Sequence, residues 1–264
     1  LKSILEDKTF NYQSARQYFK QMFGTSELFD FPKPPELIQK LMSSINEDDY
    51  IVMDFFAGSG TTAQSVLEQN LKDGGSRKFI LVQLPEPTSE KSLARQSGYE
   101  NIADISKDRI KKVLKGYGDE PQPINDGFKV FKLTESNYPE NTFEFDPDKT
   151  EEENKAAFAD YLNQAKRAKL IDDIDETSIV YENIVKEGFS LNSKVQEGAV
   201  GNNKIYTITD GERQFSICLD RQIDDATVKN ITDWAKGKTF ICFDGALNDS
   251  AKANLGLHVE LKTI

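Results

Sequence analysis

A glycine-rich turn is the part of the sequence whose residue types are suited to chemistry. The apolar run YIVMDFF is followed at once by AGSGTTAQSVLEQN, so Gly58 and Gly60 stand between a short apolar segment and a helical pattern. Glycines let the main chain approach a ligand without a Cβ clash, and the free N–H groups at a helix start attract an anion. Asp54 ends the apolar run just before the turn. This pattern predicts a ligand site at the end of a strand.

Three kinds of ligand use a strand, a glycine-rich turn and a helix start: a nucleoside triphosphate, a dinucleotide and S-adenosylmethionine. A triphosphate loop needs four residues between its glycines and then Lys-Ser/Thr, whereas a single residue separates Gly58 from Gly60. The spacing therefore excludes the triphosphate. The dinucleotide stays open, because the run from Gly58 to Ala63 fits the pattern G-x-G-x-x-G/A.

The charge at the end of the strand favours S-adenosylmethionine. The carboxylate of Asp54 would repel a pyrophosphate and attract the methionyl ammonium group. At the end of the next strand stands Gln83, where a nicotinamide cofactor needs an acid for its ribose hydroxyl. Sites for S-adenosylmethionine commonly use an acid there too, so Gln83 weakens both interpretations. A nicotinamide-dependent oxidoreductase remains the alternative.

The elements that must position the turn form a strand-helix-strand unit. FDFPKPPELIQKLMSSI predicts proline-rich punctuation and a helix, and RKFILVQL predicts a second buried strand after the turn at residues 73–75. A right-handed βαβ crossover follows from this order. ENIADISKDRIKKVLKG predicts a helix with a basic outer face, and GFKVFKL predicts another strand. We interpret the basic residues as a solvated face rather than a DNA-lining one; they are Lys107, Arg109, Lys111, Lys112 and Lys115.

A change of composition near residue 148 predicts a domain boundary, because ESNYPENTFEFDPDKTEEEN is rich in proline, asparagine and acid. Beyond it we expect a charged helix at 151–169, a mixed stretch at 176–200, and strands at IYTITD, QFSICLD and KTFICFD with a helix at DATVKNITDWAKG. This is the pattern of a small α/β domain. Cys218 and Cys242 stand singly inside apolar runs and are expected to be core thiols. The domain carries no catalytic constellation, so we expect it to serve interaction. A chain that acts only as a protein-interaction module through residues 150–264 is a further alternative.

The composition limits the partners of the chain. With a formal net charge of -11 over 264 residues, it is not expected to grip DNA phosphates by itself, since such binding depends on Lys and Arg. No apolar run approaches the roughly 18 residues that span a bilayer, and the first residues do not read as a secretion signal. We expect a cytoplasmic protein without a membrane partner and without a metal site.

Four ordered segments carry a family resemblance: DFPKPPELIQKLM, IVMDFFAGSGTTAQSVLEQN, DGGSRKFILVQLPEPT and GYENIADISKDRIKKV. Together they resemble the modification (Mod) subunits of type III restriction-modification systems, which are site-specific DNA adenine-N6 methyltransferases. The likeness is close over residues 29–115, and GFKVFKL and CLDRQIDD are also similar to Mod C-terminal regions. It implies S-adenosyl-L-methionine as cofactor, DNA as substrate of the full-length protein, a restriction (Res) subunit as partner and a Mod homodimer.

The resemblance also implies a fold and residue roles. Residues 1–148 would form part of a Rossmann-like S-adenosylmethionine-dependent methyltransferase fold, with a second small α/β domain at residues 149–264. Lys33 and Pro34 would lie beside the methionyl end of the cofactor, Asp54 on its ammonium group and Gln83 near its ribose. The loop that approaches the cofactor would consist of Phe56, Ala57, Gly58, Ser59, Gly60, Thr61 and Thr62.

One motif of such an enzyme is missing from the sequence. Adenine-N6 methylation needs an Asp/Asn-Pro-Pro-Tyr/Phe segment to hold and polarise the exocyclic amine of a flipped base. Asp146-Pro147 is followed by Asp148, and Pro34-Pro35 is preceded by Lys33, so neither fits. We therefore predict no catalytic residue in this chain, which is expected to be a fragment of a larger enzyme and not to methylate DNA alone.

Overall fold

The computed structural model describes residues 8–137, 143–168 and 175–264. The chain divides into two compact units, Leu1–Phe131 and Lys132–Ile264. This division falls earlier in the chain than the boundary expected near residue 148. Its physical cause is visible at Asn137, whose backbone N–H donates to the Glu182 carboxylate at 2.8 Å. Asn137 is therefore bonded into the second unit.

The described part of the first unit, residues 8–131, contains five helices and two strands. In chain order they are α1 (Tyr12–Phe23), α2 (Pro35–Met42), β1 (Ile51–Asp54), α3 (Thr61–Asp73), β2 (Lys78–Leu81), α4 (Leu93–Gln96) and α5 (Ile102–Lys115), preceded by a short 3-10 turn at Lys8–Phe10. Strands β1 and β2 are parallel and α3 connects them, which confirms the predicted strand-helix-strand unit. The helix α3 ends at Gly74, whose φ of 73° lets the chain leave the helix in the left-handed conformation.

One face of this small sheet is packed. Phe79 and Leu81 of β2 lie against Ala63 and Leu67 of α3, and Ile110 and Val113 of α5 complete the same apolar cluster. Because side chains alternate along a strand, the neighbouring positions point the other way. They are exposed apolar residues, namely Ile51, Met53, Phe55, Ile80, Val82 and Leu84. Parallel sheets are usually covered on both faces, so this bare face is unusual for a parallel pair.

The segment GFKVFKL is not a strand, contrary to the sequence prediction. The sheet of the first unit holds β1 and β2 alone within the described residues, and residues 127–133 pair with neither of them. Phe128 packs against the core of the first unit, whereas Val130 and Leu133 are exposed. An apolar run becomes a strand only when another strand lies beside it to share its hydrogen bonds, and no strand in the described part of the chain pairs with residues 127–133.

The second unit is a mixed sheet with helices. Its elements are α6 (Glu151–Ala168), α7 (Glu176–Lys186), β3 (Lys194–Val200), β4 (Asn203–Asp210), β5 (Arg213–Cys218), α8 (Asp225–Trp234), β6 (Thr239–Cys242), a 3-10 turn at Asp244–Ala246, α9 (Asp249–Gly256) and β7 (Glu260–Thr263). The strand order is β3-β4-β5-β6-β7; the first three strands are antiparallel and the last three are parallel. Three predicted strands and the helix at DATVKNITDWAKG are confirmed as β4, β5, β6 and α8.

Two apolar clusters sit on the second unit's sheet. One joins α7 to Ile208, Phe215 and Ile217, and the other joins α8 and α9 to the opposite face. Cys218 and Cys242 occupy neighbouring register positions and are completely buried. Burial raises the pKa of Cys218 to about 11 and that of Cys242 to about 12. The expectation of core thiols is confirmed.

None of the helices in the described part of the chain is long and apolar enough to cross a bilayer.

Candidate cofactor-binding site

The glycine-rich turn lies at the carboxyl ends of both parallel strands. The backbone N–H of Val82 donates to the Asp54 carbonyl at 2.9 Å and that of Ala57 donates to the Val82 carbonyl at 3.1 Å, so the turn is fastened to the end of β2. Gly60 N–H then donates to the Ala57 carbonyl at 2.8 Å. The chain thus closes tightly before α3 begins at Thr61. Ligands of open α/β sheets bind at this edge.

Glycine is needed at positions 58 and 60 for different structural reasons. Both have positive φ, 52° at Gly58 and 81° at Gly60. A Cβ on Gly60 would lie 2.7 Å from Ser106 Oγ and 3.3 Å from the Ser106 carbonyl oxygen, both on α5. A Cβ on Gly58 would meet only the edge of the Phe29 ring at 3.4 Å and the Phe56 carbonyl oxygen at 3.8 Å. Gly60 therefore serves the packing of the turn on α5, and Gly58 is the glycine whose surroundings are open to a ligand.

The carboxylate of Asp54 is built into the turn. Its Oδ1 accepts from the Phe56 N–H at 3.0 Å, and its Oδ2 accepts from the Thr62 hydroxyl at 2.6 Å. A carboxylate has about four acceptor positions, so these two bonds leave room for further donors. Asp54 is also partly exposed. The side chain can shape the turn and still meet a cationic group.

Gln83 supports the same turn. Its Oε1 accepts from the Gly58 N–H at 2.7 Å, and its Nε2 donates to the Leu84 carbonyl at 3.0 Å. The sequence predicts Gln83 at the end of the second strand. In the structure this position lies beside the turn, and the Gln83 side chain contacts it. Its role beside a ribose stays a prediction.

The proline-rich segment meets the start of α3. The Thr61 hydroxyl donates to the Lys33 carbonyl at 3.1 Å, and the Ser65 hydroxyl donates to the Pro35 carbonyl at 3.1 Å. Pro34 is buried, whereas the Lys33 side chain is exposed. Since Pro fixes φ near -65° and suits the residues that open a helix, FPKP holds one backbone shape beside the turn. The structure thus gathers Lys33, Pro34, Asp54, Gln83 and the loop residues around one place.

The two phenylalanines that follow β1 are both exposed, Phe55 by 62% and Phe56 by 91%. Phe55 belongs to the bare face of the sheet, and Phe56 lies in the turn itself.

Sequence reasoning missed Arg109, a residue of α5 that is completely buried. Its Nη1 donates to the Ser59 and Thr61 hydroxyls, both at 2.8 Å, and its Nε donates to the Gln64 amide oxygen at 2.8 Å. Interpreting the whole basic set of α5 as a solvated face was wrong for this residue. The signal was available: Ile105, Arg109 and Val113 follow one another at four-residue helical spacing, which places Arg109 on the apolar side.

Gln64, which bonds to Arg109, also connects it to the Glu68 carboxylate and the Tyr117 phenol. Gln64 Nε2 donates to the Glu68 carboxylate at 2.8 Å, and the same Glu68 oxygen accepts from the Tyr117 hydroxyl at 2.5 Å. Burial raises the pKa of Glu68 and lowers the pKa of Arg109 to about 10. Arg109 is therefore cationic at neutral pH. Its guanidinium carbon also lies 5.0 Å from the centre of the Phe19 ring.

Part of the chain is similar to known proteins. Residues 2–86, which include the turn, both strands and the proline-rich segment, match the family model described as DNA methylase. Two similar proteins are Mod subunits of type III restriction-modification enzymes. StyLTI Mod from Salmonella typhimurium (strain LT2) is 37% identical over 129 residues, and EcoPI Mod from Escherichia phage P1 is 40% identical over 114 residues. The type II methyltransferase M.KpnI from Klebsiella pneumoniae is 34% identical over 119 residues.

These matches cover only part of each protein. The stretch similar to StyLTI Mod is 48% of this chain and 20% of that subunit, and the stretch similar to EcoPI Mod is 43% of this chain and 18% of that subunit. The matched part of M.KpnI is 28% of its length. The chain is thus similar to a portion of Mod subunits, which confirms the family resemblance drawn from its motifs.

Proposed function

We propose that this chain is the S-adenosylmethionine-binding portion of a DNA adenine-N6 methyltransferase of the type III restriction-modification kind. One observation carries the proposal. Asp54 ends β1 beside a glycine turn, with two oxygens already shaping that turn and acceptor capacity left for a cation. The methionyl ammonium group is such a cation, and the start of α3 presents free N–H groups to the methionyl carboxylate.

The other predicted residues fit the same ligand. Gly58 leaves space for an approaching group, and the exposed ring of Phe56 can lie against an apolar or aromatic part of it. Bonds from Thr61 to the Lys33 carbonyl and from Ser65 to the Pro35 carbonyl hold Lys33 and Pro34 beside the turn, where they are proposed to meet the methionyl end of the cofactor. Gln83 borders the turn and is proposed to meet the ribose. Bound there, S-adenosylmethionine would supply the methyl group; this chain's own residues would bind and orient it.

The bare face of the β1-β2 pair favours the proposed partial Rossmann-like fold. Its exposed residues include Ile51 and Met53 from β1 and Ile80 from β2. Strands of a Rossmann-like sheet are apolar on both faces because helices cover both. Residues of this type, left open on one face, are what part of such a fold would display. The Mod subunits themselves are several times longer than the matched stretch.

Both the charge at the turn and the similarity to known proteins disfavour a dinucleotide as the ligand. A pyrophosphate at the turn would lie close to the Asp54 carboxylate, which repels it. The matching family model is described as DNA methylase, and M.KpnI is named as a methyltransferase; neither is described as an oxidoreductase.

The partners of the whole protein follow from the same proposal. DNA would be the substrate, with basic surface supplied from elsewhere, because this chain carries a formal net charge of -11. A Res subunit and a second Mod subunit are the proposed protein partners. For residues 149–264 an interaction role remains our proposal.

Calorimetric titration of the full chain with S-adenosylhomocysteine tests this function. We expect saturable binding that weakens roughly tenfold in Asp54→Asn, which corresponds to about 1.4 kcal/mol. The matched control is Thr62→Val, which removes a hydrogen bond of Asp54 but keeps its charge; its affinity should stay within about threefold of wild type. Saturable NADH binding without S-adenosylhomocysteine binding would support the oxidoreductase instead, and an unchanged affinity of Asp54→Asn would remove the role given to that carboxylate.

A further inference from the structure

Arg109 occupies an unusual position below the turn. Its guanidinium is completely buried, and within the described part of the chain it forms no ion pair with a carboxylate. Instead it bonds to two hydroxyls and one amide oxygen, from Ser59, Thr61 and Gln64. Glu68 is linked to Arg109 through the Gln64 amide rather than by direct contact. The Nη2 atom has no hydrogen-bond partner among the described residues.

This arrangement is a poor way to gain stability. Removing a charged group from water is costly, and the cost is recovered only with complete pairing and hydrogen bonding. Leu or Met at position 109 would fill the same apolar side of α5 beside Ile105 and Val113 without that cost. The residue type therefore needs a reason other than packing, and its contacts point to one.

The contacts of Arg109 fall on both sides of Gly60. Nη1 bonds to Ser59 before the glycine and to Thr61 after it. Gly60 itself lies against Ser106, one helical turn earlier on α5. The helix α5 thus holds the turn at three successive residues. The Thr61 hydroxyl in turn donates to the Lys33 carbonyl, which connects the turn to the proline-rich segment.

We propose that Arg109 is a positioning residue that fixes the cofactor turn so that the start of α3 and Asp54 together face the methionyl end of the cofactor. Its buried positive charge adds to the potential that the helix start presents to the methionyl carboxylate. Arg109 acts through the turn and need not touch the ligand. The inference rests on the proposed function, since it assigns that turn to S-adenosylmethionine.

Two ligands distinguish a positioning role from a general loss of structure. S-adenosylhomocysteine carries the amino and carboxyl groups found at the methionyl end of the cofactor, whereas 5′-methylthioadenosine has the same nucleoside without them. In the full chain with Arg109→Met, we expect at least a tenfold loss of affinity for S-adenosylhomocysteine and less than a twofold change for methylthioadenosine. Arg109→Lys keeps the charge and one donor, so it should recover part of the loss.

The control is Arg77→Met. Arg77 pairs with Asp73 at 3.0 Å at the far end of α3, so its replacement should lower stability and leave both affinities unchanged. An unchanged affinity of the Arg109 variants for S-adenosylhomocysteine, or an equal loss for both ligands in folded protein, would overturn the inference. If wild-type chain binds no S-adenosylhomocysteine, the proposed function fails separately. Amide hydrogen exchange of residues 58–62 without ligand then decides on Arg109 alone: exchange faster in Arg109→Met supports the positioning role, and unchanged exchange contradicts it.

Discussion

Asp54 and Arg109 carry opposite charges on the same turn, and their surroundings give them different tasks. The carboxylate is partly exposed and keeps acceptor capacity after bonding to Phe56 and Thr62. The guanidinium is buried and bonds to groups of the protein alone. A ligand can therefore meet Asp54 directly and feel Arg109 through the shape and potential of the turn.

The buried network around Arg109 predicts a pH dependence at Glu68. Burial raises the pKa of this carboxyl in the folded protein, so the folded state holds the proton longer than the unfolded chain does. Its contribution to stability is complete below the unfolded pKa of about 4.3 and is lost as the pH rises through the folded pKa. We expect the unfolding free energy of wild type to fall relative to Glu68→Gln as pH increases from 4 toward 8, measured by urea denaturation.

Glu260→Gln provides the control of opposite sign. The Thr239 hydroxyl lowers the pKa of Glu260, so wild type should gain stability relative to this variant as the pH rises through the acid range. Parallel pH profiles of wild type and Glu68→Gln would show that the Glu68 proton is not held by the fold.

Most residues of the candidate site could be predicted from the sequence, but the buried Arg109 that supports the turn could not be predicted in the same way. Asp54 and the glycines could be predicted, because their meaning depends on spacing along one short segment. Arg109 was misread since a count of basic residues on α5 concealed its four-residue spacing from Ile105 and Val113. The bonds of Arg109 to Ser59 and Thr61 join positions far apart in the chain, and no local pattern encodes such contacts.

At the scale of elements, the turn and α5 form one packed unit. The contact is closest at Gly60, where φ is 81° and a Cβ would meet Ser106. Gly74 is a matched position at the other end of α3, with φ of 73° and nothing within 4 Å of an added Cβ. Both positions therefore favour glycine because of their positive φ, but only Gly60 also needs it to avoid a clash with Ser106 of α5.

Alanine at each glycine separates these two reasons. Gly74→Ala should cost about 1 kcal/mol for placing a side chain in the left-handed region. Gly60→Ala adds the clash with Ser106 and should cost about 2–4 kcal/mol. Chemical denaturation measures both. Equal losses would mean that α5 does not approach the turn as closely as the structure shows.

The sequence predicted the elements unevenly. The strand-helix-strand unit was clear because apolar runs, turn residues and a helical pattern agree over residues 51–81. GFKVFKL has strand-like residues, but no strand among the described residues pairs with it, and pairing is a property of the tertiary structure. The strand β7 was missed although LHVELK alternates apolar and polar residues as a half-buried strand does. The helix α9 was missed because NDSAKANLG holds few apolar residues.

At the scale of the whole molecule, two compact units share one chain with a formal net charge of -11. The first unit carries the turn and matches DNA methylases over residues 2–86. The second unit has its own sheet and two apolar clusters. A ligand that belongs to the turn should therefore change the first unit and leave the second as it is.

Amide hydrogen exchange with and without S-adenosylhomocysteine tests that statement most directly, because it reports both binding and its location. We expect slower exchange on ligand addition in residues 54–63 and in the segment around Gln83, with residues 175–264 unchanged. Protection that appears in the second unit, or no protection at the turn under saturating ligand, would contradict the assignment of this turn as the cofactor site.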